Sequence, residues 1–423
     1  MSGKGDCAAT LTGITDRRDE PRERLAMQLG RLFGGWGYRY VEPPLVEDLA
    51  TFRQGSPGLS EDRVYRFLDR DSRLLALRPD MTAGIARLVA QGLGGTGIPA
   101  PGNDFVRDQL PLRLRYEGSV FRNEAPGSGR SRAIRQAGVE LIGEAGLEAD
   151  AEVIALAVAA GRAAGADGAR LVIGHVALAW GVLALAGGER ASRVDDFRRA
   201  INERDLVALA EILGADLAGP FVAGPYAGQA ARDLLDQLAL QGGQLAVAAR
   251  QVQDLLAALP AYGVQDALLD LALLRDLDYY SGVVFEIIQP GHAEPLAGGG
   301  RYDRLIGQFG LDLPATGFAL NLDVAAPAAG GLADQLGRSA VAWATSRDRD
   351  LALAMASSLR LDGTAVETMA AGLSQREAIA RATARGITRL LYVANGAYRE
   401  LRLDLGRPAQ QAFAAAAATG GIH

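Results

Sequence analysis

The chain has 423 residues, 49% hydrophobic and 22% charged, ordinary for a globular protein of two or three domains with a large core. Its net charge of −6 argues against general nucleic-acid binding, which favours a basic face. Lysine occurs only at Lys4, which excludes a Schiff-base lysine for pyridoxal phosphate and a P-loop lysine.

Residues 1–15 are small and polar and are expected to form a flexible tail. They lack the apolar stretch of a signal peptide, and no uncharged apolar run reaches about 18 residues, so a cytoplasmic protein without a membrane span is expected. The single Cys7 lies in this tail and cannot form an internal disulfide. Residues 16–33 carry apolar positions at helical spacing with charge opposite. Residues 36–46 read as a strand closed by Pro43 and Pro44. A short strand at 74–78 precedes Pro79, which starts a helix through residue 90 with Asp80 near its positive end. Residues 92–102 form a Gly/Pro loop. Residues 113–122 and 132–143 form a long strand pair joined by a Gly/Ser-rich turn, followed by a helix at 149–163 and a strand at 170–174. From 188 to about 269 the pattern is Ala/Leu-rich and helical. It reads as an insertion, because strands resume at 283–289. Residues 297–302 (AGGGRY) read as a glycine-rich turn, and 317–322 as a last core strand. A linker at 326–331 separates a small unit at 339–405 with the order β-α-β-α-β, and the Ala-rich end is either a short helix or frayed.

Within the strand pair, side chains alternate between faces. Gln136, Gly138 and Glu140 therefore share one face, and Val139 and Leu141 point to the other. A glycine between two polar groups leaves room for a ligand over the sheet, and Arg122 and Glu124 share a face on the partner strand. Tyr279 and Tyr280 precede a Ser-Gly turn and offer an aromatic wall with hydroxyls. His175, His292 and His423 are scattered, with no metal-ligand spacing, so neither a metal nor another cofactor is expected.

Five ordered motifs across residues 16–325 resemble class II aminoacyl-tRNA synthetases in their histidyl form. RYEGSVFRNE followed by RQAGVE looks like motif 2. LRPDMT looks like the R-P-E-G-T element, RDLDYY…VFE like the histidine signature, and AGGGRYD like the element after it. ATGFALNLDV sits where motif 3 belongs. The resemblance implies an α+β fold: a class II synthetase-like antiparallel sheet flanked by helices. Its core would span 16–330 with a helical insertion at about 188–270, and a small α/β domain would span 336–423. By motif position it implies a histidine site made of Asp80, Thr82, Gln136, Glu140, Tyr279 and Tyr280. Arg122 matches the arginine that holds the ATP α-phosphate, and Arg275 the signature arginine near the reacting carboxylate. It also implies a homodimer through a motif 1 region at about 35–45.

Departures from that pattern point away from amino-acid activation. Motif 3 ends on a cation in the family, but the aligned residue is Val324. Losing one preorganised donor to developing charge typically costs about 3–4 kcal/mol, or roughly 10²–10³ in rate. Met81 replaces a glycine, and Ser281-Gly282 replaces an N-R-T segment. RPDMT and YYSGVVFE are more similar to a paralogous family, the regulatory subunits of ATP phosphoribosyltransferase. That resemblance implies no catalytic residues of its own, a short-form catalytic phosphoribosyltransferase partner and L-histidine as effector. Arg122 and Arg275 would then serve the ligand carboxylate or balance Glu124 and Asp278. From residue 331 onward 11 Arg face 8 Asp+Glu without a basic, aromatic-interleaved stripe, so no tRNA is expected. An active histidyl-tRNA synthetase and a stand-alone ligase or sensor on the same fold remain the alternatives.

Overall fold

The computed structural model describes residues 19–55, 61–94, 110–125, 131–166, 168–274, 279–326, 339–361, 364, 366–369, 372–384 and 387–403. The chain divides into two units, Met1–Gly330 and Gly331–His423.

The first unit opens with helix α1 (Asp19–Gly35), strands β1 (Arg39–Tyr40) and β2 (Val46–Asp48), helix α2 (Leu49–Gly55), strands β3 (Arg66–Leu68) and β4 (Leu74–Leu77), and helix α3 (Thr82–Gly94). The expected strand at 36–46 is thus only two residues long. Pro43 and Pro44 have no N–H to donate, and the chain turns there into a separate sheet of order β2-β4-β3. Strands β5 (Leu112–Phe121) and β6 (Ala133–Ile142) then pair along their whole length, and helix α4 (Leu147–Ala163) and β7 (Arg170–His175) follow.

The insertion holds α5 (Val176–Leu185), α6 (Gly188–Ala191), α7 (Val194–Glu203), α8 (Leu206–Leu213), α9 (Ala215–Ala223), β8 (Tyr226–Ala227), α10 (Gly228–Ala239), α11 (Gly243–Ala258) and β9 (Leu268–Leu269). Its core gathers Phe197, Leu209, Leu235 and Val252 against Leu178 and Val182 of α5. The two short strands were not expected within a helical segment. They extend the main sheet at one end, where β9 runs parallel to β7 and β8 antiparallel to β9.

The unit closes with β10 (Val283–Ile288), β11 (Ala297–Arg301), β12 (Ala315–Asn321) and α12 (Leu322–Ala325). The main sheet has nine strands in the order β1-β5-β6-β12-β11-β10-β7-β9-β8, antiparallel from β5 through β7. The AGGGR run is therefore not a turn but a buried central strand. Glycine is required there because its neighbours fill the space. A Cβ on Gly299 would meet the backbone and side chain of Phe318, and one on Gly300 would meet Val283 O at 2.5 Å and the Tyr280 ring at 3.0 Å.

Each face of this sheet is covered differently. Ala137, Val139 and Leu141 of β6, with Phe285 and Phe318, pack under α1 and α4, whose apolar faces supply Leu25, Leu29, Phe33, Val153 and Leu156. On the other face, Met81 just before α3, and Ile85, Ala86 and Val89 within it, lie over Tyr116, Val120 and Ile142.

The second unit has β13 (Ser339–Trp343), α13 (Arg349–Leu361), β14 (Val366–Thr368), α14 (Gln375–Ala384), β15 (Arg389–Ala394) and β16 (Ala397–Arg402). β14, β13 and β15 are parallel, and β16 adds an antiparallel edge. Alternation along β13 and β15 gives two apolar layers. Ala340, Ala342 and Leu390 meet Ile379 of α14, whereas Val341, Trp343 and Val393 meet Ala352 and Ala356 of α13.

Candidate ligand site on the α3-covered face of the sheet

β6 projects Gln136, Gly138 and Glu140 to the face that α3 covers. Across the register, Glu140 lies opposite Gly317 of β12 and Leu114 of β5. Gly317 makes the site possible, since a Cβ there would fall on the Glu140 carboxylate and on Val139 O. The space over Gly138 is not free for a ligand, as the sequence suggested. The Tyr116 ring fills it and donates its hydroxyl to Phe318 O at 3.3 Å.

Glu140 is 1% exposed. Thr82 Oγ1 donates to Glu140 Oε1 at 2.8 Å, and the Tyr302 hydroxyl donates to Oε2. Burial raises the carboxyl strongly and the two hydroxyls offset part of that, leaving it pushed up to about 8. Near neutral pH it is therefore mainly protonated, with a proton to share. Thr82 also bonds the Tyr279 hydroxyl, so Tyr279, Thr82, Glu140 and Tyr302 form one chain of hydroxyl and carboxyl groups. Burial and neighbouring acidic groups hold both tyrosine hydroxyls well above their usual range, so both stay neutral donors. Tyr279 packs edge-on to Tyr302 at 5.7 Å between centroids and tilted against Tyr280 at 4.9 Å.

Of the expected site residues, Asp80, Thr82, Glu140, Tyr279 and Tyr280 come together here. Asp80 is buried beside Glu140, and its carboxylate accepts from Ala83 N at 2.8 Å, capping the first turn of α3. Gln136 lies on the same face two residues beyond Gly138, opposite Asn321 and Gly118. Arg122 is half-buried just past β5, with Nε 3.5 Å from Pro79 O. Arg275, like Asp278, lies outside the described residues. Glu124 pairs with Arg63 at 2.6 Å. Tyr302 was missed by sequence reasoning although it stands in the AGGGRYD element. Two residues past Gly300, it shares that glycine's face, and this alternation was the available signal.

Arg301, one residue earlier, points the opposite way and pairs with Asp150 of α4 at 2.9 Å and with Asp303 at 2.9 Å. This buried clamp holds the end of β11 and thereby sets where Tyr302 reaches. Val324 packs against the apolar layer beneath the sheet, while its neighbour Asp323 accepts from Arg22 and from Arg135 N. His175 is buried and accepts from Ala177 N at 3.1 Å, with burial pushing it down to about 4. Among the described residues no His/Cys/Asp/Glu group could hold a metal, and no helix is long and apolar enough to cross a membrane.

Comparison with known proteins agrees with this architecture. The family model described as histidyl-tRNA synthetase matches residues 13–325. The ATP phosphoribosyltransferase regulatory subunit of Moorella thermoacetica is 42% identical over 86% of this chain and 92% of its own length. The chain belongs to the family of ATP phosphoribosyltransferase regulatory subunits. Its role is a regulatory one in histidine biosynthesis, on a class II synthetase-like fold. The regulatory subunit of Symbiobacterium thermophilum is 40% identical, over 90% of this chain and 95% of the relative. A crystal structure described as an ATP phosphoribosyltransferase regulatory subunit/histidyl-tRNA synthetase from Bacillus halodurans superposes with a TM-score of 0.70 at 28% identity, covering 89% of this chain and 94% of that one. The histidyl-tRNA synthetase of Nostoc shares the fold at a TM-score of 0.72 and 18% identity.

Proposed function

We propose that this regulatory subunit binds L-histidine at Glu140 and transmits its occupancy to a short-form catalytic phosphoribosyltransferase bound to it. The buried carboxyl carries the reading. An imidazole needs one group that can share a single proton with its ring, and Glu140 at about 8 meets a free imidazole at about 6.5. Between those values the pair together holds one proton before and after binding, so binding needs neither uptake nor release. Tyr302 and Thr82 orient the carboxyl, the tyrosine pair walls the ring, and Asp80 and Gln136 lie toward the α-amino end. By motif position, Arg122 and Arg275 would serve the ligand carboxylate.

Without a cation at Val324 the scaffold lacks one of the charges that would stabilise pyrophosphate as a leaving group, so adenylation is not its reaction. Histidine then controls the complex only by binding its less active state more tightly. A coupling of about 1–3 kcal/mol gives roughly 5–150-fold control. Exposed Trp36, Tyr40, Phe67 and Leu68 around the β1 edge and the small sheet support a homodimer in the 35–45 region.

The test is calorimetry with histidine on the full chain and on Glu140→Gln. Equal affinity would remove Glu140 from the site. Histidine-dependent pyrophosphate exchange by the purified chain would restore the tRNA-charging alternative.

A further inference from the structure

A second recess lies on the outer side of the tyrosine pair, away from Glu140. It is a cleft of about 760 Å³ where α5 and the start of α11 face the end of α2 and the turn at Ile306–Phe309. That is the size range of sites for small organic ligands. Of the described residues assigned above to the histidine site, only Tyr279 and Tyr280 reach it. Arg122 and Val324, the positions that the synthetase pattern gives to ATP phosphates, do not line it.

Its charge is one-sided. Among the described residues, Arg53 and Arg304 line it and no Asp or Glu does, in a chain whose net charge is −6. Arg304 is exposed and makes no hydrogen bond or ion pair with another described residue. Arg53 is held by Glu61 at 2.6 Å, but the same carboxylate also serves Arg66 at 2.8 Å, so one negative charge balances two positive ones. A guanidinium without a partner among the described residues, beside a second one whose carboxylate is shared, attracts an oxyanion with several acceptor oxygens. The opposite wall is aromatic and apolar. Tyr280 packs over the β11 backbone at Gly300 and turns its remaining side to the cleft, across from Trp180 of α5. Gln244 and Gln308 add carboxamides, which donate and accept and so suit the edge of a heterocycle.

We propose that this cleft binds a nucleotide, its ring against Tyr280 and Trp180 and its phosphate on Arg304 and Arg53. Neither half of the cleft explains the other: an anion site needs no aromatic wall, and an apolar recess needs no arginines at its rim.

The test uses the full chain and adenosine monophosphate as probe, with adenosine and inorganic phosphate as separate arms, by calorimetry. Saturable binding of the nucleotide is expected, weakened about ten- to hundredfold by Arg304→Gln, since a charge-assisted phosphate contact is lost. Adenosine and phosphate should each bind more weakly than the nucleotide. Arg304 is exposed, so this variant folds, and Gln244→Ala provides an independent second one with a smaller loss. No binding at millimolar nucleotide would overturn the assignment. So would equal affinity in Arg304→Gln, or phosphate binding as tightly as the nucleotide. Loss on Arg122→Gln but not on Arg304→Gln would place the nucleotide over the sheet and also overturn it. Histidine titrations of the same proteins report on the Glu140 corner separately, so either reading can fail while the other stands.

Discussion

The two faces of β6 carry opposite physics on one strand. Beneath the sheet, Val139 and Leu141 meet Phe318 and Phe285 under two helices, a layer of ordinary apolar packing. Above it, Glu140 is just as buried but depends on two hydroxyls and on the glycine opposite. The lower face gives the fold its stability. The upper face keeps a carboxyl out of water, which costs free energy that a ligand or a proton can offset. Selection for binding thus acts at alternate residues, while the residues between them are free to serve the core.

That contrast can be broken most forcefully from below. Phe318→Ala should cost about 3–5 kcal/mol in urea unfolding by opening a cavity against Phe33 and Phe285. From above, Gly317→Ala should cost about 1–3 kcal/mol, because the new methyl meets the Val139 carbonyl and the Glu140 carboxylate. It should also abolish histidine binding, which a purely structural glycine would not require.

Glu140→Gln sharpens the contrast through pH. The folded carboxyl sits at about 8, above its unfolded value. Folded protein therefore holds more protons than unfolded protein between about 4.5 and 8. The contribution of Glu140 is fully present below the unfolded value and is lost as pH rises through 8. Denaturant midpoints should fall over that window in the parent and fall less in the variant. Histidine affinity should be flat from about pH 6.5 to 8 and decline on both sides. In Glu140→Gln it should decline only on the acid side and be about ten- to hundredfold weaker. The smallest effect belongs to Arg113→Gln. This removes the ion pair to Glu152 at the half-open rim of the lower face and should change stability by no more than about 1 kcal/mol.

Much of this was legible in the sequence because alternation along 113–122 and 132–143 is strong and long. The strand pair, its two faces and the Glu140 position follow from period two alone. The glycine run at 297–301 was misread because glycine signals turns. Here it marks crowding by Phe318 and Tyr280, residues that come near only after the sheet assembles. Tyr302 was missed with it, since its face depends on the run being a strand. β8 and β9 have two residues each, too few to show a period, and β16 is polar enough to read as loop. Asp80 was expected at the ligand, yet it also caps α3, a local duty that position in a motif does not reveal.

The glycines opposite bulky neighbours have a further consequence. Gly138 faces Tyr116, Gly317 faces Glu140, and Gly300 admits Tyr280. A slip of β12 by one position against β6 would drive Phe318 into the carboxylate and strand Glu140 against a side chain it cannot clear. Each small–large pair therefore works as a key that fits only one alignment of strands far apart in the chain. The vacancies that accommodate the pocket also proofread how the sheet is assembled, and any change at one member of a pair must be answered at the other.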